Sequence, residues 1–202
     1  MNELKSKIAL VTGAAQGLGK GIALVLAEQG ATVIINDRSI GDSAKKLLEE
    51  IQDKGGRAIL IQTDVSVRKE VDNMFQEIDK EFGQLDILVN NAGITKPQDI
   101  FEIEETDWNQ IIDTNLKGSF YCSQAAMKLM RKHKSGRIVF ISSVVGQQGA
   151  LYGHVHYATS KAGLLGMTKT LARTGAPLGI NVNAVAPGVI HTELIDKVLG
   201  PE

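Results

Sequence analysis

The stretch IALVTGAAQGLGKGIALVLAEQGATVIIND, residues 8–37, contains a strand pattern, a helix pattern and a second strand pattern in succession. The apolar run at 8–12 ends in Thr-Gly, which is typical of a short buried strand. Residues 17–29 have apolar positions at helical spacing, and Gly30 marks the end of that helix. The β-branched run at 32–36 favours a second strand. This unit predicts two parallel strands joined by a crossover helix.

The same alternation continues through the rest of the chain. Apolar runs predict further strands at 57–62, 85–90, 136–142 and 179–188. Helical spacing predicts helices at 43–54, 66–82, 106–133 and 156–174. Ser66 stands at the capping position of its helix and Glu70 near the reciprocal position of a capping box. Since the strands are continuous apolar runs, we predict an α/β fold with a doubly wound parallel sheet of about six strands and helices on both faces.

Length and composition limit the classes of protein that the chain can represent. Its 202 residues fit one domain of the usual size, about 50 to 250 residues, and we predict a single domain over 1–202. The net charge is −1 without blocks of like charge, which predicts no nucleic-acid partner and no membrane association. No apolar run reaches the roughly 18 residues of a membrane span.

The cysteine and histidine content favours a reducing compartment and no metal. Cys122 is the single cysteine and cannot form an internal disulfide, so we predict a cytoplasmic location. Its position inside a predicted helix indicates a buried thiol rather than a reactive one. No His/Cys cluster has zinc-ligand spacing, and we therefore predict no metal site.

The loop TGAAQGLG, residues 12–19, is a candidate phosphate-binding loop. It carries Gly13, Gly17 and Gly19 between the first strand and the first helix. Glycine permits close backbone approach to a ligand, and the following helix N-terminus attracts an anion such as a pyrophosphate. The spacing is G-x-x-x-G-x-G rather than the common G-x-G-x-x-G. A tight turn without a ligand is the alternative reading, and the strand-to-helix context favours the ligand.

Asp37 follows the second strand and bears on the choice between the two nicotinamide dinucleotides. A carboxylate at this position can accept hydrogen bonds from the ribose hydroxyls of NAD and would repel the 2′-phosphate of NADP. Arg38 could instead pair with that phosphate, but Gln16 supplies no second cation from the loop. The sequence therefore favours NAD(H) over NADP(H).

The stretch HVHYATSK, residues 154–161, sets Tyr157 and Lys161 four positions apart. On a helix, residues at this spacing lie on one face. A neighbouring ammonium lowers the pKa of a tyrosine from its usual value of about 10, which makes the phenol a better acid–base group at neutral pH. A tyrosine and a lysine at this spacing, without other motifs, commonly lie on the surface of an ordinary helix. Whether they are catalytic therefore depends on the rest of the chain.

Three motifs in order give the chain a resemblance to a known family. TGAAQGLG, NNAG at 90–93 and YATSK at 157–161 together resemble the short-chain dehydrogenase/reductase family, from about residue 5 to about 195. The stretches GRIVFISSVVG, SKAGLLGMTKTLAR and INVNAVAPGVIHTEL are similar to 3-oxoacyl-(acyl carrier protein) reductases. The resemblance implies a Rossmann fold and NAD(P)-dependent interconversion of a secondary alcohol and a ketone.

The substrate implied by the resemblance is open. A 3-oxoacyl thioester is the leading expectation, and a polyol, a sugar acid or a hydroxysteroid is the alternative. A protein that binds a dinucleotide without catalysis is an alternative of another class, which would predict a damaged catalytic set. The serine, tyrosine and lysine are all present here.

The resemblance also assigns residues to roles. The catalytic set is Asn115, Ser143, Tyr157 and Lys161, with Asn115 anchoring a proton-relay water and Ser142 a weaker candidate than its neighbour. The substrate set is Ser143, His154 and Tyr157. The cofactor set is Gly13, Gln16, Gly17, Leu18, Gly19, Asp37, Arg38, Asp64, Val65, Asn91, Ala92, Gly93, Tyr157, Lys161, Pro187, Gly188, Ile190 and Thr192.

The two histidines before Tyr157 carry weaker signals. His154 could titrate near neutral pH or hydrogen-bond a substrate oxygen, or it could simply fill a polar loop. His156 is expected to face away from Tyr157 and to have no role in the site.

The resemblance also bears on assembly and on the end of the chain. It implies a homodimer or homotetramer packed through the helices at 106–133 and 156–174. The sequence ends before the usual extent of the family. We therefore expect a C-terminal truncation, with the last edge strand absent and the sixth strand left exposed at the edge.

Overall fold

The computed structural model describes residues 3–151 and 153–190, and within them six parallel strands form one sheet. The strand order is β3-β2-β1-β4-β5-β6, so the direction of winding reverses between β1 and β4. This arrangement confirms the predicted doubly wound α/β fold. The strands are β1 Ile8–Val11, β2 Thr32–Asp37, β3 Arg57–Gln62, β4 Ile87–Asn90, β5 Gly136–Ile141 and β6 Ile180–Val185.

Helices cover both faces of the sheet. Leu10 of β1 packs with residues of the helices on one face, such as Phe75 and Met130, and Val11 packs with Leu47 on the other. Both strand residues are fully buried, which explains why the strands read as continuous apolar runs. The helices are α1 Gly17–Glu28, α2 Asp42–Asp53, α3 Arg68–Phe82, α4 Glu105–Ile112, α5 Gly118–His133, α6 Val145–Gln148 and α7 Val155–Gly175, with a 3₁₀ turn at Ala176–Leu178.

The long helix predicted at 106–133 is wrong, because the structure divides it. A π-helical segment, Asp113–Lys117, lies between α4 and α5. Its central residue, Asn115, is fully buried and hydrogen-bonds the backbone of Ile94 through both its amide oxygen and its amide nitrogen. Such local widening often occurs at functional sites. The hydrophobic period alone does not reveal it.

The predicted capping of α3 by Ser66 is also wrong. The helix begins at Arg68 after Val67, because Ser66 donates from both its backbone nitrogen and its hydroxyl to Asp64 Oδ1, at 2.9 and 2.6 Å. Glu70 accepts a hydrogen bond from Asp64 N at 2.8 Å. Because Ser66 is hydrogen-bonded to Asp64 in a local turn, its hydroxyl does not cap the helix.

The last strand is shorter than predicted. It covers Ile180–Val185 rather than 179–188. Gly179 has a φ of +69°, outside the range of a strand, and Pro187 has no N–H to donate to a neighbouring strand. The short helix α6 was not predicted.

Gly179 provides a test of how tightly the turn before β6 is packed. An ideal Cβ at this position would overlap the backbone carbonyl of Lys134, and alanine resists a positive φ. We expect Gly179→Ala to lower the free energy of unfolding by roughly 2 to 4 kcal/mol, measured by urea denaturation.

Gly21→Ala is the matched control. Gly21 lies inside α1 with no atom within 4 Å of an ideal Cβ, and alanine favours a helix interior by about 1 kcal/mol. The control should raise stability slightly. Equal effects of the two substitutions would contradict the packing at Gly179.

Candidate functional site

A cleft of about 550 Å³ opens at the carboxyl ends of the strands. It includes the ends of β1 and β4, where the strand order reverses, which is the usual place for a ligand in such sheets. The structure brings most of the predicted site residues to this cleft. They are Gly13, Gln16, Gly17, Leu18, Gly19, Asp37, Arg38, Asp64, Val65, Asn91, Ala92, Gly93, Ser143, His154, Tyr157, Lys161, Pro187, Gly188 and Ile190.

Hydrogen bonds join the loop after β1 to the loop after β4. Thr12 Oγ1 accepts from the backbone nitrogens of Asn91 and Ala92, each at 3.0 Å. The Asn91 side-chain amide donates to the carbonyls of Thr12 and Gly13, each at 2.9 Å. The two loops therefore form one wall of the cleft, and the NNAG motif holds the glycine loop in place through these hydrogen bonds.

The glycines of the first loop are required by close contacts. Gly13 has a φ of +61°, and a Cβ there would lie 2.8 Å from Ala92 Cα. A Cβ on Gly19 would lie 2.5 Å from Asn91 Nδ2. Gly13 thus packs against the backbone of Ala92 and Gly19 against the side chain of Asn91, and neither position has room for a Cβ.

This loop fits the pyrophosphate of a dinucleotide. Helix α1 begins at Gly17, and the preceding residue, Gln16, makes no side-chain capping hydrogen bond. The first N–H groups of α1 have no intrahelical acceptor, and they carry the positive end of the helix dipole. An anion placed at this end of the cleft would satisfy those groups.

Asp37 is held in a fixed orientation beside the glycine loop. Its Oδ2 accepts from Ala15 N at 3.2 Å and its Oδ1 from Arg38 N at 2.8 Å. The carboxylate lines the cleft, and Arg38 lines the same region with an exposed side chain. Both candidates for recognition of the adenosine ribose are therefore present at one place.

Asn36 lies at the same end of the cleft and was missed by the sequence analysis. The residue is 1% exposed, and its Nδ2 donates to the carbonyls of Ile61 and Thr63, each at 3.2 Å. Its Oδ1 has no hydrogen-bond partner within residues 3–151 and 153–190. The Asn36 amide therefore ties the end of β2 to the end of β3 where both strands meet the cleft. The sequence could have indicated this residue, because Asn36 directly precedes Asp37 at the end of the second predicted strand.

Lys161 is a buried ammonium at the other end of the cleft. The residue is 5% exposed, and its Nζ donates to the carbonyl of Ile141 at the end of β5 at 2.8 Å. Burial lowers the pKa of Lys161 to about 8, because an apolar environment disfavours the charged form. Its Nζ lies 5.6 Å from the centroid of the Tyr157 ring.

The pKa lowering predicted for Tyr157 is wrong for this structure. Burial raises the pKa of the phenol, and a hydrogen bond with the Ser143 side chain only partly opposes this shift. The Lys161 ammonium, which lies 5.6 Å from the ring centroid and donates to the carbonyl of Ile141, does not reverse this shift. Tyr157 in the chain alone is therefore held in its protonated form at neutral pH.

The two neighbouring serines have different environments. Ser142 is buried and donates its hydroxyl to the carbonyl of Lys161 at 2.8 Å, so it holds helix α7 against β5. Ser143 is half-buried, lines the cleft and lies near enough to Tyr157 for its side chain to act on the pKa of the phenol. Of the two, only the Ser143 hydroxyl is placed to meet a ligand.

Asn115 does not line the cleft but lies directly behind it. Besides its bonds to Ile94, it donates from Nδ2 to Ser160 Oγ at 3.1 Å. A Cβ built on Gly93 would lie 3.4 Å from Asn115 Oδ1 and 3.5 Å from Lys161 Nζ. The two side chains therefore flank the same point on the cleft wall.

His154 lines the cleft beside Tyr157 in a strained backbone conformation. Its φ is +61°, and its backbone nitrogen donates to Gln98 O at 3.1 Å. Its Nδ1 hydrogen-bonds Thr95 Oγ1 at 3.2 Å, and its ring meets that of Tyr157 edge-on with a centroid distance of 6.3 Å. Burial lowers the pKa of His154. Thr95, which also lines the cleft, was missed because the sequence does not reveal its closeness to His154.

His156 does not line the cleft, and its expected lack of a role in the site stays a prediction. The residue is fully buried, and its Nδ1 accepts a hydrogen bond from the Tyr157 backbone nitrogen at 3.0 Å.

The remaining predictions concern the nicotinamide end and other residues. Pro187, Gly188 and Ile190 line the cleft, and Thr192 lies outside the described residues. The prediction of a buried Cys122 is confirmed, and burial raises the pKa of its thiol to about 12.

The described residues contain neither a cluster of metal ligands nor a membrane-spanning helix. Within 3–151 and 153–190, no group of three or more His, Cys, Asp or Glu side chains is arranged to hold a metal ion. Over the same ranges, no helix has the length and apolar character needed to span a membrane.

The chain is similar to known proteins over almost all of its length. The model of the short chain dehydrogenase family matches residues 7–200. The chain is 46% identical over 193 residues to the 3-oxoacyl-[acyl-carrier-protein] reductase FabG of Staphylococcus epidermidis, which covers 96% of this chain and 79% of the relative. It is 43% identical over 198 residues to the 3-oxoacyl-[acyl-carrier-protein] reductase of Synechocystis, with 98% and 80% covered.

A solved structure gives the same result. The short-chain type dehydrogenase/reductase from Mycobacterium marinum superimposes with a TM-score of 0.93 at 37% identity, over 97% of this chain and 78% of the other.

The buried ammonium of Lys161 predicts a pH dependence of stability. The native state releases this proton near pH 8, whereas the unfolded chain holds it to about pH 10.4. Between these values the unfolded state binds more protons, so this group's contribution to the free energy of unfolding rises with pH. We expect the stability of the wild type, relative to Lys161→Met, to rise by roughly 3 kcal/mol across that window.

Urea denaturation at several pH values measures this difference. The comparison with the variant is needed because the raised pKa of Cys122 has the opposite sign in the same range and is common to both proteins. A stability difference that stays constant from pH 7 to pH 10 would show that Lys161 is not a desolvated ammonium.

Proposed function

The chain belongs to the short-chain dehydrogenase/reductase family, and on this premise we propose that it reduces the ketone of a 3-oxoacyl thioester to the secondary alcohol. It is an oxidoreductase that acts on CH–OH groups with NAD or NADP. The observation that carries the proposal is the convergence of Ser143, Tyr157 and Lys161 on one end of a cleft whose other end fits a dinucleotide. The relatives named above as 3-oxoacyl reductases support this choice of substrate.

The cofactor proposed for the cleft is held along its length by residues already described. The glycine loop and the N-terminus of α1 would hold the pyrophosphate, Asp64 and Val65 the adenine, and Pro187, Gly188 and Ile190 the nicotinamide end. Gln16, Leu18, Asn91, Ala92 and Gly93 complete the proposed wall, together with Thr192. The nicotinamide supplies the hydride chemistry.

Ser143 and Tyr157 are proposed to act on the substrate oxygen. The Ser143 hydroxyl donates a hydrogen bond to the carbonyl oxygen, which gains negative charge during reduction. The Tyr157 phenol then transfers its proton to that oxygen. Burial raises the pKa of Tyr157, so the phenol is protonated at neutral pH and has a proton to donate, and the Lys161 ammonium assists the transfer by stabilising the phenolate that forms.

Lys161 and Asn115 are proposed to restore the proton. When Tyr157 has lost its proton, the ammonium of Lys161 stabilises the phenolate electrostatically. The pKa of Lys161, lowered to about 8 by burial, favours exchange of its own proton near neutral pH. Asn115 is a positioning residue in this proposal, because it flanks the same point beside Gly93 as Lys161 does and could anchor a relay water there.

We propose that NAD(H) is preferred over NADP(H). The support is the fixed Asp37 carboxylate, whose two oxygens are both held by backbone N–H groups and which therefore cannot easily turn away from a 2′-phosphate. Arg38 is the opposing influence, because its exposed guanidinium lies at the same end of the cleft.

The side chains proposed to lie near the reacting carbonyl are also compatible with a second substrate class. His154 and Thr95 form a polar pair beside Tyr157, and His154 is proposed as a substrate-binding residue. In a 3-oxoacyl thioester, the pair would meet the thioester oxygen. The same polar pair would also suit the hydroxyl groups of a polyol or a sugar acid, which is the alternative substrate.

Assembly, domain organisation and location follow as parts of the same proposal. A homodimer or homotetramer packed through α5 and α7 is supported by Phe120 on α5, whose side chain is large, apolar and 40% exposed. The chain is proposed to form one dinucleotide-binding and catalytic domain. A cytoplasmic location is supported by the single, buried cysteine.

Parallel titrations with NADH and NADPH, followed by nicotinamide fluorescence, test the cofactor preference. The wild type should bind NADH at least about tenfold more tightly, because a carboxylate near the 2′-phosphate costs about 1 to 4 kcal/mol. Asp37→Ser should remove most of this preference, and Arg38→Ala should increase it. Tighter binding of NADPH by the wild type would overturn the preference and make Arg38 the phosphate partner.

Substitution of Tyr157 tests the catalytic proposal. We expect Tyr157→Phe to lower kcat for reduction of a 3-oxoacyl thioester by about 10²- to 10⁴-fold, with cofactor affinity unchanged, measured by steady-state loss of NADH absorbance. Tyr121→Phe is the matched control, since it removes a phenol hydroxyl from α5, and it should keep full activity. Full activity of Tyr157→Phe would show that another group donates the proton.

A further inference from the structure

The start of helix α7 lacks the usual capping arrangement. The helix begins at Val155, and the preceding residue, His154, makes no side-chain capping hydrogen bond. The first backbone–backbone hydrogen bond of this turn runs from Ala158 N to His154 O at 2.8 Å. The N–H groups of Val155, His156 and Tyr157 therefore have no acceptor within the helix.

The imidazole of His156 caps one of these groups, and that group belongs to Tyr157. Its Nδ1 accepts from Tyr157 N at 3.0 Å. A neutral imidazole that accepts at Nδ1 carries its proton at Nε2. That Nε2 is buried and has no hydrogen-bond partner among the residues that the structure describes. An unpaired buried donor is rare in folded proteins and calls for an explanation.

The carbonyl of Tyr157 is also held by a side chain. Ser160 Oγ donates to Tyr157 O at 2.7 Å and accepts from Asn115 Nδ2 at 3.1 Å. The backbone N–H and C=O of Tyr157 are thus both engaged by side chains, His156 on one side and the Asn115–Ser160 pair on the other. No other residue of the proposed catalytic set has both backbone groups hydrogen-bonded to side chains in the described part of the chain.

The surroundings keep His156 neutral and able to accept. Asp107 of α4 raises the pKa of the ring and Lys96 of the loop before it lowers that pKa, and the two side chains form an ion pair at 2.7 Å. His154 is the titratable neighbour on the same segment. Burial dominates and lowers the pKa of His156, so that the Nδ1 lone pair is available at neutral pH.

We propose that His156 is a positioning residue that fixes the backbone of Tyr157, and with it the phenol, against Ser143 and Lys161. The inference rests on the proposed function for the meaning of the phenol position. The hydrogen bond from Tyr157 N to the imidazole and the bond from Ser160 to Tyr157 O together set the direction of the first turn of α7. Loss of the imidazole acceptor would free one side of that turn.

Amide substitutions separate this role from simple filling of space. In His156→Asn, the amide oxygen can take the place of Nδ1 and accept from Tyr157 N. In His156→Gln, the amide reaches the place of Nε2 and leaves that N–H without its acceptor. We expect His156→Gln and His156→Ala to lower kcat by about ten- to a hundredfold with cofactor affinity unchanged, and His156→Asn to restore most of the activity.

A second readout does not depend on turnover. The pKa of Tyr157 is measured by ultraviolet titration of tyrosinate, as the difference between each variant and the same variant with Tyr157→Phe. Positioning by His156 predicts that the pKa of Tyr157 moves toward its ordinary value in the Gln and Ala variants and stays raised in the Asn variant. Thermal unfolding of each variant separates these effects from loss of folded protein.

The outcomes distinguish the inference from the proposed function. If the Gln variant matches the Asn variant in kcat and in the pKa of Tyr157, the positioning role is wrong, and His156 only fills space. If the wild type reduces no ketone, the proposed function fails, and the tyrosinate titration alone decides the positioning role. A pKa that is the same in all four proteins would then overturn it.

Discussion

The hydrogen bonds between Thr12 and the loop after β4 are the constraint on which the cleft depends. They join the carboxyl ends of β1 and β4, the two strands between which the sheet reverses its winding. The same bonds bring Asn91 so close to Gly19 that no side chain fits there. The glycine loop, the exposed N-terminus of α1 and the wall beside Lys161 are therefore consequences of one contact between two strand ends.

Burial at the opposite end of the cleft sets the chemistry. It raises the pKa of Tyr157 and lowers that of Lys161 to about 8, which moves two values that are nearly equal in water apart and makes the Lys161 ammonium the stronger acid of the pair. A proton on Lys161 can therefore pass downhill in free energy to a Tyr157 phenolate. The Lys161 ammonium is desolvated and is held mainly by the carbonyl of Ile141, which lowers the stability of the fold. Such perturbed groups are common at functional sites.

The sequence predicted the sheet, its strands and most of the cleft residues, because these depend on local patterns and on a resemblance carried by three motifs. It did not predict the π-helical segment or the use of Ser66 by Asp64, because hydrogen bonds to neighbouring loops decide both. The predicted direction of the Tyr157 pKa shift was also wrong, because the spacing shows that an ammonium is near but does not show how deeply the phenol is buried. The capping role of the His156 ring is likewise a property of the folded first turn of α7.

A crystal structure of the chain with bound NAD⁺ is the most direct test of the claim that one dinucleotide spans the cleft across the point where the strand order reverses. We expect the adenosine ribose at Asp37, the pyrophosphate at the N-terminus of α1 and the nicotinamide beside Tyr157 and Lys161. A dinucleotide bound in the reverse direction, or one whose nicotinamide lies away from Tyr157, would contradict it.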